Sequence, residues 1–458
     1  MNSILKFSAI GMMLWLTSSV TICAQEVGGT TPQKLHLSLD NALEIALTQG
    51  NKIKIAEMDI VKAKYDRKTT IAKLFPSVNL TGDYNYTIKK QVMYLGGGFS
   101  FPGMPDIGDK GIEVGKSYSV TGGITAGLPL VNPSLWSSIK LSAEAVNMAV
   151  LQAEESKEAL HNQVTKAYYG ALLAEESLKV LQQTYNNAKK SHEDIKMKFE
   201  QGLVAEFDLL RADVAVKNIE PGLQQALNGV AATKRQLLIL LSLDLDRELE
   251  LSGALSDKEE HIYRAYFSES VTPENNTQLK LADKQVDLLK IQERLAKSAF
   301  LPTITLSGFY RYNAMDDKFS WKDYQWTPFS VMALSLNIPI TSGGEKIFKV
   351  NQAKAATKQA ILRRIDLSSA LNAQLRQFRD NMKASVRKFA SAKEAVTQAE
   401  KGYEIARKRY DVGMSTLIEL NDANLALLQS KLNYFEAIYD FLSNEADYNK
   451  TLGVNIKR

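Results

Sequence analysis

Three carboxylates follow two glycine-containing segments and are the most distinctive chemical feature of this sequence. Glu419 and Asp422 come soon after Gly413, and Asp208 holds the matching position after Gly202. On a helix, Glu419 and Asp422 would share one face. Around a pore built from several copies, such acids form rings that select cations and repel anions. Taken alone, these acids are better explained by an ordinary helix start, because acids near a helix N-terminus interact favourably with the helix dipole.

Other candidates for catalysis or metal binding are weak. The four histidines, His36, His161, His192 and His261, show no HExxH or other metal-binding spacing. Residues 111–117 approach a phosphate-binding motif but are one residue short and precede a strand pattern, so we expect a surface loop there. No nucleophile motif is present. We therefore predict no enzymatic activity, no catalytic residue, no cofactor and no metal site.

The composition is that of a folded protein and gives no support for nucleic-acid binding. The 458 residues are 45% hydrophobic and 23% charged, and the formal net charge is only +5. No lysine or arginine cluster stands out. Composition therefore predicts a folded chain without a nucleic-acid partner.

The first residues are typical of an export signal. Lys6 precedes a short apolar run, and Ala24 offers a small residue for cleavage, so residues 1–24 are predicted to be a signal peptide. Cys23, the only cysteine, leaves with that peptide. The alternative is a lipoprotein in which Cys23 is acylated.

The chain repeats one long pattern. Residues 71–76 resemble residues 295–302, residues 128–130 resemble 338–340, and residues 199–203 resemble 410–414. Each half reads as helix, two strands, long helix, glycine turn and return helix. A repeat of this kind decides the fold, so we predict two internal repeats.

Four segments alternate between apolar and polar residues, at 78–88, 118–130, 303–312 and 332–340. Each has about the length that a tilted strand needs to cross a membrane. A soluble half-buried sheet alternates equally well. Four tyrosines late on the outward faces, and further aromatics in the loops beyond, favour a membrane interface: Tyr84, Tyr86, Tyr310 and Tyr312. Because four strands cannot close a barrel, a membrane position requires several chains to share one.

Long apolar stripes with a 3.5-residue period run through residues 160–199 and 371–410. This period is typical of helices packed as coiled coils. A continuous helix over residues 133–199 would be about 100 Å long. Residues 220–222, Glu-Pro-Gly, are expected to interrupt the first return helix.

Taken in order, these motifs resemble the outer-membrane efflux protein family, of which TolC is the namesake. Residues 37–47 look like the first helix of the family, and residues 201–212 with their second copy resemble its helix-hairpin tips. The resemblance implies an α+β membrane protein of the bacterial outer membrane. It would be a homotrimer whose shared β-barrel, with four strands per chain, continues into the periplasm as an α-helical coiled-coil barrel.

The resemblance also implies a function and partners. The chain would be the passive exit duct of a tripartite efflux or type I secretion system, gated at its periplasmic tip. It would contact outer-membrane lipid, a periplasmic adaptor protein and an inner-membrane exporter. A trimeric surface stalk or adhesive protein and a general diffusion porin are the alternatives.

Site residues follow from the same resemblance. Glu419 and Asp422 resemble the acidic ring of the periplasmic entrance, and Asp208 and Tyr410 resemble members of the closed-state latch. The expected adaptor-contact tips are Gly202, Leu203, Gly413 and Met414. At the position of Ser415, the resemblance implies a basic residue that forms an ion pair in the latch. Serine cannot form that ion pair, so the closed state is expected to be weaker or held differently.

The predicted division of the chain has eight parts. They are the signal peptide (1–24), the opening helices of the first repeat (25–76), the first transmembrane strand pair with a long external loop (77–131), the first periplasmic helix hairpin (132–243), an equatorial segment (244–276), the opening helix of the second repeat (277–302), the second transmembrane strand pair (303–341) and the second periplasmic helix hairpin with the C-terminal tail (342–458).

Overall fold

The computed structural model describes residues 34–94, 111–265 and 272–454. The predicted signal peptide with Cys23, and most of the predicted external loop, lie outside the described residues.

Long helices and one antiparallel sheet make up most of the described chain. The strands are β1 (Leu35–Leu37), β2 (Ser77–Tyr86), β3 (Gln91–Met93), β4 (Ile112–Val114), β5 (Tyr118–Val131), β6 (Leu249–Leu251), β7 (Thr303–Asp316) and β8 (Thr327–Asn337). The helices are α1 (Leu39–Gln49), α2 (Asn51–Ala72), α3 (Pro133–Glu200), α4 (Glu206–Leu241), α5 (Glu259–Tyr263), α6 (Thr277–Ser298), α7 (Glu345–Asp411) and α8 (Leu417–Leu452). A 3₁₀ turn, Leu255–Lys258, leads into α5.

The four-stranded sheet has the order β2-β5-β7-β8, and every neighbouring pair is antiparallel. Leu80 lies opposite Ile124, Ile124 opposite Tyr310, and Tyr310 opposite Ser330. Directly opposed residues project from the same face. The even-numbered residues of all four strands therefore share one face, which is mostly apolar, and the odd-numbered residues share the other, which is mostly polar.

The last strand begins and ends earlier than the alternation predicted. The prediction placed it at residues 332–340, whereas β8 spans Thr327–Asn337. Its last residue, Asn337, pairs with Thr303, the first residue of β7. Residues 338–340 thus have no opposing strand in the described part of the chain, and Pro339 has no N–H to donate. Their first-half counterparts, residues 128–130, lie within β5.

Two very long helices leave the sheet. α3 follows β5 directly because the Asn132 side chain accepts a 3.0 Å bond from the Leu135 N–H, and Pro133 suits the first helical position. It continues unbroken for 68 residues, and α7 for 67. α4 and α8 return along them, each with 36 residues.

The expected interruption at residues 220–222 was wrong, because α4 runs through Pro221. Proline removes one helical hydrogen bond, the one to the carbonyl of Lys217. Both Pro221 and Lys217 are exposed, so water can solvate that carbonyl and the helix continues.

Neighbouring helices pack side by side in a row at two levels of the molecule. Nearest the sheet the order is α2, α3, α6, α7, and further away it is α4, α3, α8, α7. The main hydrophobic core lies between these layers, where β1, β6 and the 3₁₀ turn pack against α3, α7 and α8. Leu371, Leu375, Met382 and Phe389 of the predicted α7 stripe are all buried.

β1 and β6 form a short parallel pair that the sequence pattern did not indicate. No helix within the described ranges is both long enough and apolar enough to cross a bilayer.

Candidate functional site

The turn between α3 and α4 is a tight helix end built on glycine. The Gly202 N–H bonds the Phe199 carbonyl at 2.8 Å, and the Leu203 N–H bonds the Lys198 carbonyl at 2.8 Å. This pair of bonds defines a Schellman motif, which requires a left-handed residue. Gly202 supplies it with φ of +73°, a conformation that glycine adopts without a Cβ clash.

The turn between α7 and α8 has the same bonds. The Gly413 N–H reaches the Tyr410 carbonyl at 3.0 Å, and the Met414 N–H reaches that of Arg409 at 2.8 Å. Gly413 has φ of +79°. The residue after each glycine is largely exposed, Leu203 at 70% and Met414 at 71%. The predicted tip residues therefore lie at the ends of the two hairpins, with apolar side chains in solvent.

The two tips share a small core. Ile195, Ala212 and Leu417 are buried together, and Tyr410 packs against them. Because this cluster combines α3, α4, α7 and α8, it joins the two hairpins near their ends.

Asp208 and Tyr410, the predicted latch residues, both lie beside this core. Burial raises the pKa of the Tyr410 hydroxyl, and the nearby Asp208 carboxylate raises that pKa further by a smaller amount. The Lys198 ammonium lies 5.2 Å from the centroid of the Tyr410 ring. Within the described chain, no hydrogen bond joins Asp208 to Tyr410. The structure thus brings the pair close together and leaves their polar groups free for other partners.

The predicted acidic pair lies on the first turns of α8. Thr416 caps this helix by accepting a 3.3 Å bond from the Glu419 N–H, and the Ser415 hydroxyl donates to the Glu419 carboxylate. Glu419 and Asp422 are both exposed, whereas Leu417 and Leu420 of the same turns are buried. The two acids therefore lie on an exposed face of α8, away from the hairpin core.

The even face of the sheet is exposed and apolar. Leu80 and Met332 are each 82% exposed. At the end of the sheet away from the helices, which we call the loop end, aromatic rings gather on this face. Phe319 of the β7–β8 loop lies 6.1 Å from Tyr84 and 5.9 Å from Tyr118, measured between ring centroids.

Asp317 ties the loops together at the loop end. Its carboxylate binds Lys90 and Lys116, each at 2.7 Å, and accepts a 3.2 Å bond from the Ser117 N–H. Hydrogen bonds from Lys116 and Lys90 lower the pKa of Asp317 well below its usual range. This cluster has no signature in the sequence, because its members are far apart in the chain. Residues 111–117, expected to be a surface loop, instead contain β4, which pairs with β3.

The sequence matches the family described as outer membrane efflux protein over residues 42–241 and 270–454. The chain belongs to this family. Outer membrane protein TolC of Vibrio cholerae is 24% identical over 398 residues, covering 83% of this chain and 82% of that protein. The probable efflux pump outer membrane protein TtgC of Pseudomonas putida is also 24% identical, covering 95% of this chain and 87% of the relative.

A solved structure shows the same fold. The Campylobacter jejuni CmeC outer membrane channel matches with a TM-score of 0.71 at 16% identity, covering 91% of this chain and 85% of that channel. This outer membrane efflux protein therefore has the fold of a known outer-membrane channel, with mostly helical structure and one main sheet.

Family membership establishes the place and the general role of the chain. It is a protein of the bacterial outer membrane that serves efflux, and its family consists of channel proteins. In the part of the chain that the structure describes, no group of three or more histidine, cysteine, aspartate or glutamate side chains is placed to hold a metal ion.

Proposed function

We propose that three copies of this outer membrane efflux protein form one passive duct, the exit component of a tripartite efflux or type I secretion system. The observation that carries the proposal is the four-stranded sheet. Its edge strands, β2 and β8, have no further strand beside them among the described residues, and its even face is apolar and exposed. Open sheet edges are not tolerated in lipid. Three chains with four strands each supply twelve, which exceeds the roughly eight that a barrel needs.

The edges of the helical row support the same closure. α2 and α7 end the row nearest the sheet, and both expose apolar side chains there: Ile55, Met58 and Tyr65 on α2, and Phe348, Leu362 and Ile365 on α7. The two edges differ from each other, so contact between them is head-to-tail. A head-to-tail interface closes into a ring when its rotation permits. We place α7 of one chain against α2 of the next.

Two internal repeats fit the matched geometry of the hairpins. The two long helices have nearly equal lengths, the two return helices have equal lengths, and both tips are Schellman turns. On this proposal, each repeat contributes two strands to the barrel and one helix hairpin to the periplasmic tube. The predicted eight-part division of the chain belongs to the same proposal.

At the tip, we assign the aperture to the acidic pair and the latch. Threefold repetition turns Glu419 and Asp422 into rings of negative charge, which favour cations at a narrow mouth. The Asp208 carboxylate and the Tyr410 hydroxyl do not hydrogen-bond to each other, so each can bond to a group of a neighbouring chain. Ser415 carries no positive charge and instead donates a hydrogen bond to Glu419. On this proposal, hydrogen bonds rather than an ion pair hold the closed state at this position.

The exposed tips suit contact with another protein. Leu203 and Met414 present apolar side chains beside the left-handed Gly202 and Gly413. Exposed apolar groups of this kind mark interaction sites. We assign these four residues to the periplasmic adaptor, which links the duct to an inner-membrane exporter.

Native mass spectrometry and planar-bilayer recording test the proposal together. The detergent-purified protein should have the mass of three chains. Its single channels should be small and cation-preferring, and Glu419→Gln/Asp422→Asn should lose most of that preference. Glu404→Gln, which neutralises an exposed acid paired with Lys408 on α7, is the matched control and should keep it.

Each negative result of these experiments would contradict a different part of the proposal. A monomeric mass, or no conductance from folded trimer, would overturn the duct. Large unselective currents that the double substitution leaves unchanged would overturn only the assignment of the aperture. Unchanged resting conductance in Asp208→Ala would overturn the latch.

A further inference from the structure

One cation on the odd face of the sheet has no acidic partner among the residues that the structure describes. Arg311 of β7 lies directly opposite Gly123 of β5 and Phe329 of β8. Its guanidinium carbon is 4.6 Å from the centroid of the Phe309 ring, and that ring is 5.3 Å from the Phe329 ring. No carboxylate within the described ranges is close enough to form an ion pair with Arg311. The guanidinium therefore lies against the Phe309 ring, and no described residue forms an ion pair with it.

Gly123 fixes this arrangement. A Cβ placed at position 123 would lie 2.3 Å from the Tyr310 carbonyl oxygen and 2.8 Å from Cγ of Arg311. The Arg311 side chain thus lies over the space that the glycine leaves open. Its Nε is buried and has no hydrogen-bond partner in the described chain. A half-buried arginine without a partner is unusual, because buried polar groups are normally paired.

The surrounding face is uncharged except at one position. Asp83 is the other charged residue that the described strands place on the odd face. It lies on β2, with β5 between it and β7, at the level of Thr121 and Asn313. On this face, the residues of the described strands next to Arg311 are therefore aromatic or uncharged.

We infer that Arg311, Phe309 and Phe329 form a binding site for amphipathic aryl anions, such as aryl sulfonates or aryl carboxylates. This inference rests on the proposed barrel, in which the polar odd face lines the pore and the apolar even face meets lipid. The guanidinium binds the anionic group with its planar N–H fork. The phenylalanine rings contact the aromatic part of the ligand.

The site would place positive groups inside a duct whose tips are acidic. The proposed acidic rings lie at the hairpin tips, whereas three copies of Arg311 lie within the barrel. An anionic cargo that has passed the tips would meet a favourable contact before release. Without aromatic contact, a small anion would gain only the charge interaction, so selectivity for aryl anions distinguishes this site from a simple basic ring.

Calorimetric titration of the purified protein with 2-naphthalenesulfonate tests the site directly. Arg311→Gln should raise the dissociation constant about 10- to 100-fold, the range for losing hydrogen bonds to a charged group. Arg311→Lys keeps the charge but loses the planar fork, so its affinity should be intermediate. Lys322→Gln, which removes one positive charge from the β7–β8 loop, should bind as the wild type does.

Methanesulfonate separates the ring contribution from the charge contribution. Phe329→Leu should weaken 2-naphthalenesulfonate binding several-fold and leave the much weaker methanesulfonate binding unchanged. Equal affinity of the wild type and Arg311→Gln for 2-naphthalenesulfonate would overturn the site. Equal affinity of the wild type for both probes would overturn its aryl specificity.

Bilayer recording then distinguishes this inference from the duct itself. 2-Naphthalenesulfonate should reduce wild-type current at lower concentration than Arg311→Gln current, and Lys322→Gln should be blocked like the wild type. If Arg311-dependent binding is present but the protein forms no channel, the site stands and the duct falls. If the acidic rings behave as proposed but block is independent of Arg311, the duct stands and the site falls.

Discussion

The Tyr168 hydroxyl donates a 2.6 Å hydrogen bond to the carbonyl oxygen of Ser252. The same hydroxyl lies 3.1 Å from the carbonyl oxygen of Leu37, the last residue of β1. Ser252 directly follows β6, the parallel partner of β1. One side chain of α3 therefore bonds both strands at the end of the β1–β6 pair and connects α3 to that pair.

Replacing Tyr168 with phenylalanine should loosen that pair without disturbing the core. The ring stays packed, while one hydrogen bond worth about 1 kcal/mol is lost. Hydrogen exchange of the amides in β1 and β6 should accelerate about fivefold, because the free energy of local opening falls by about 1 kcal/mol. Tyr169→Phe is the control, because the Tyr169 hydroxyl has no hydrogen bond in the described chain. Equal acceleration in both variants would contradict the assignment.

The β1–β6 pair also shows what the sequence could not predict. Three-residue strands such as Leu35–Leu37 carry too little alternation to be recognised, and a parallel partner more than 200 residues away has no local signal. The main sheet strands and long helices were predictable, because their periodicity extends over many residues. The helix interruption predicted at Pro221 was wrong, because the cost of one lost helical hydrogen bond depends on whether water reaches the freed carbonyl.

Gly122 and Gly123 are adjacent in β5 but have opposite surroundings. A Cβ on Gly122 would meet nothing within 4 Å, whereas one on Gly123 would lie 2.3 Å from the Tyr310 carbonyl oxygen. Gly123→Ala should therefore push β5 and β7 apart and sharply reduce the amount of folded protein in the outer membrane. Gly122→Ala should fold at nearly wild-type level. Fractionated membranes and gel mobility with and without heating measure both, and equal levels would contradict the steric argument.

The candidate site was only partly predictable for a related reason. Glu419 and Asp422 share a helix face by spacing alone, and the structure has both exposed on α8. Asp317 and its lysines, in contrast, meet through loops that are distant in sequence. Arg311 was recognisable as a polar-face residue. That no acid of the described chain pairs with it depends on strand register, which cannot be read from one sequence.

The contact between Glu259 and α7 should weaken in acid. Burial alone would raise the pKa of the Glu259 carboxyl, but bonds from Lys393 and from the Tyr434 hydroxyl outweigh burial and lower that pKa below its ordinary 4.5. A lowered folded-state pKa adds stability above the unfolded value, and this is lost as pH falls through the folded value. Hydrogen exchange in residues 255–263 should therefore accelerate below about pH 4.5.

Glu259→Gln should flatten this acid dependence, because glutamine does not titrate. Glu260→Gln is the matched control: it changes the neighbouring acid, whose partner Arg264 is the C-cap residue of α5, and should keep the wild-type dependence. An unchanged acid profile in Glu259→Gln would show that another group controls this segment.

Gly402 and Gly413 provide a matched test of backbone conformation at the α7 tip. Neither would meet an atom within 4 Å if a Cβ were added, but only Gly413 has positive φ, +79°. Gly413→Ala should destabilise the tip by about 1–2 kcal/mol, the cost of a left-handed residue with a Cβ. Gly402→Ala lies within α7 and should stabilise it by up to about 1 kcal/mol, because alanine favours helix. Hydrogen exchange in residues 405–420 should therefore shift in opposite directions, faster in Gly413→Ala and slower in Gly402→Ala. A common direction would mean that side-chain contacts, rather than backbone conformation, determine the stability of the tip.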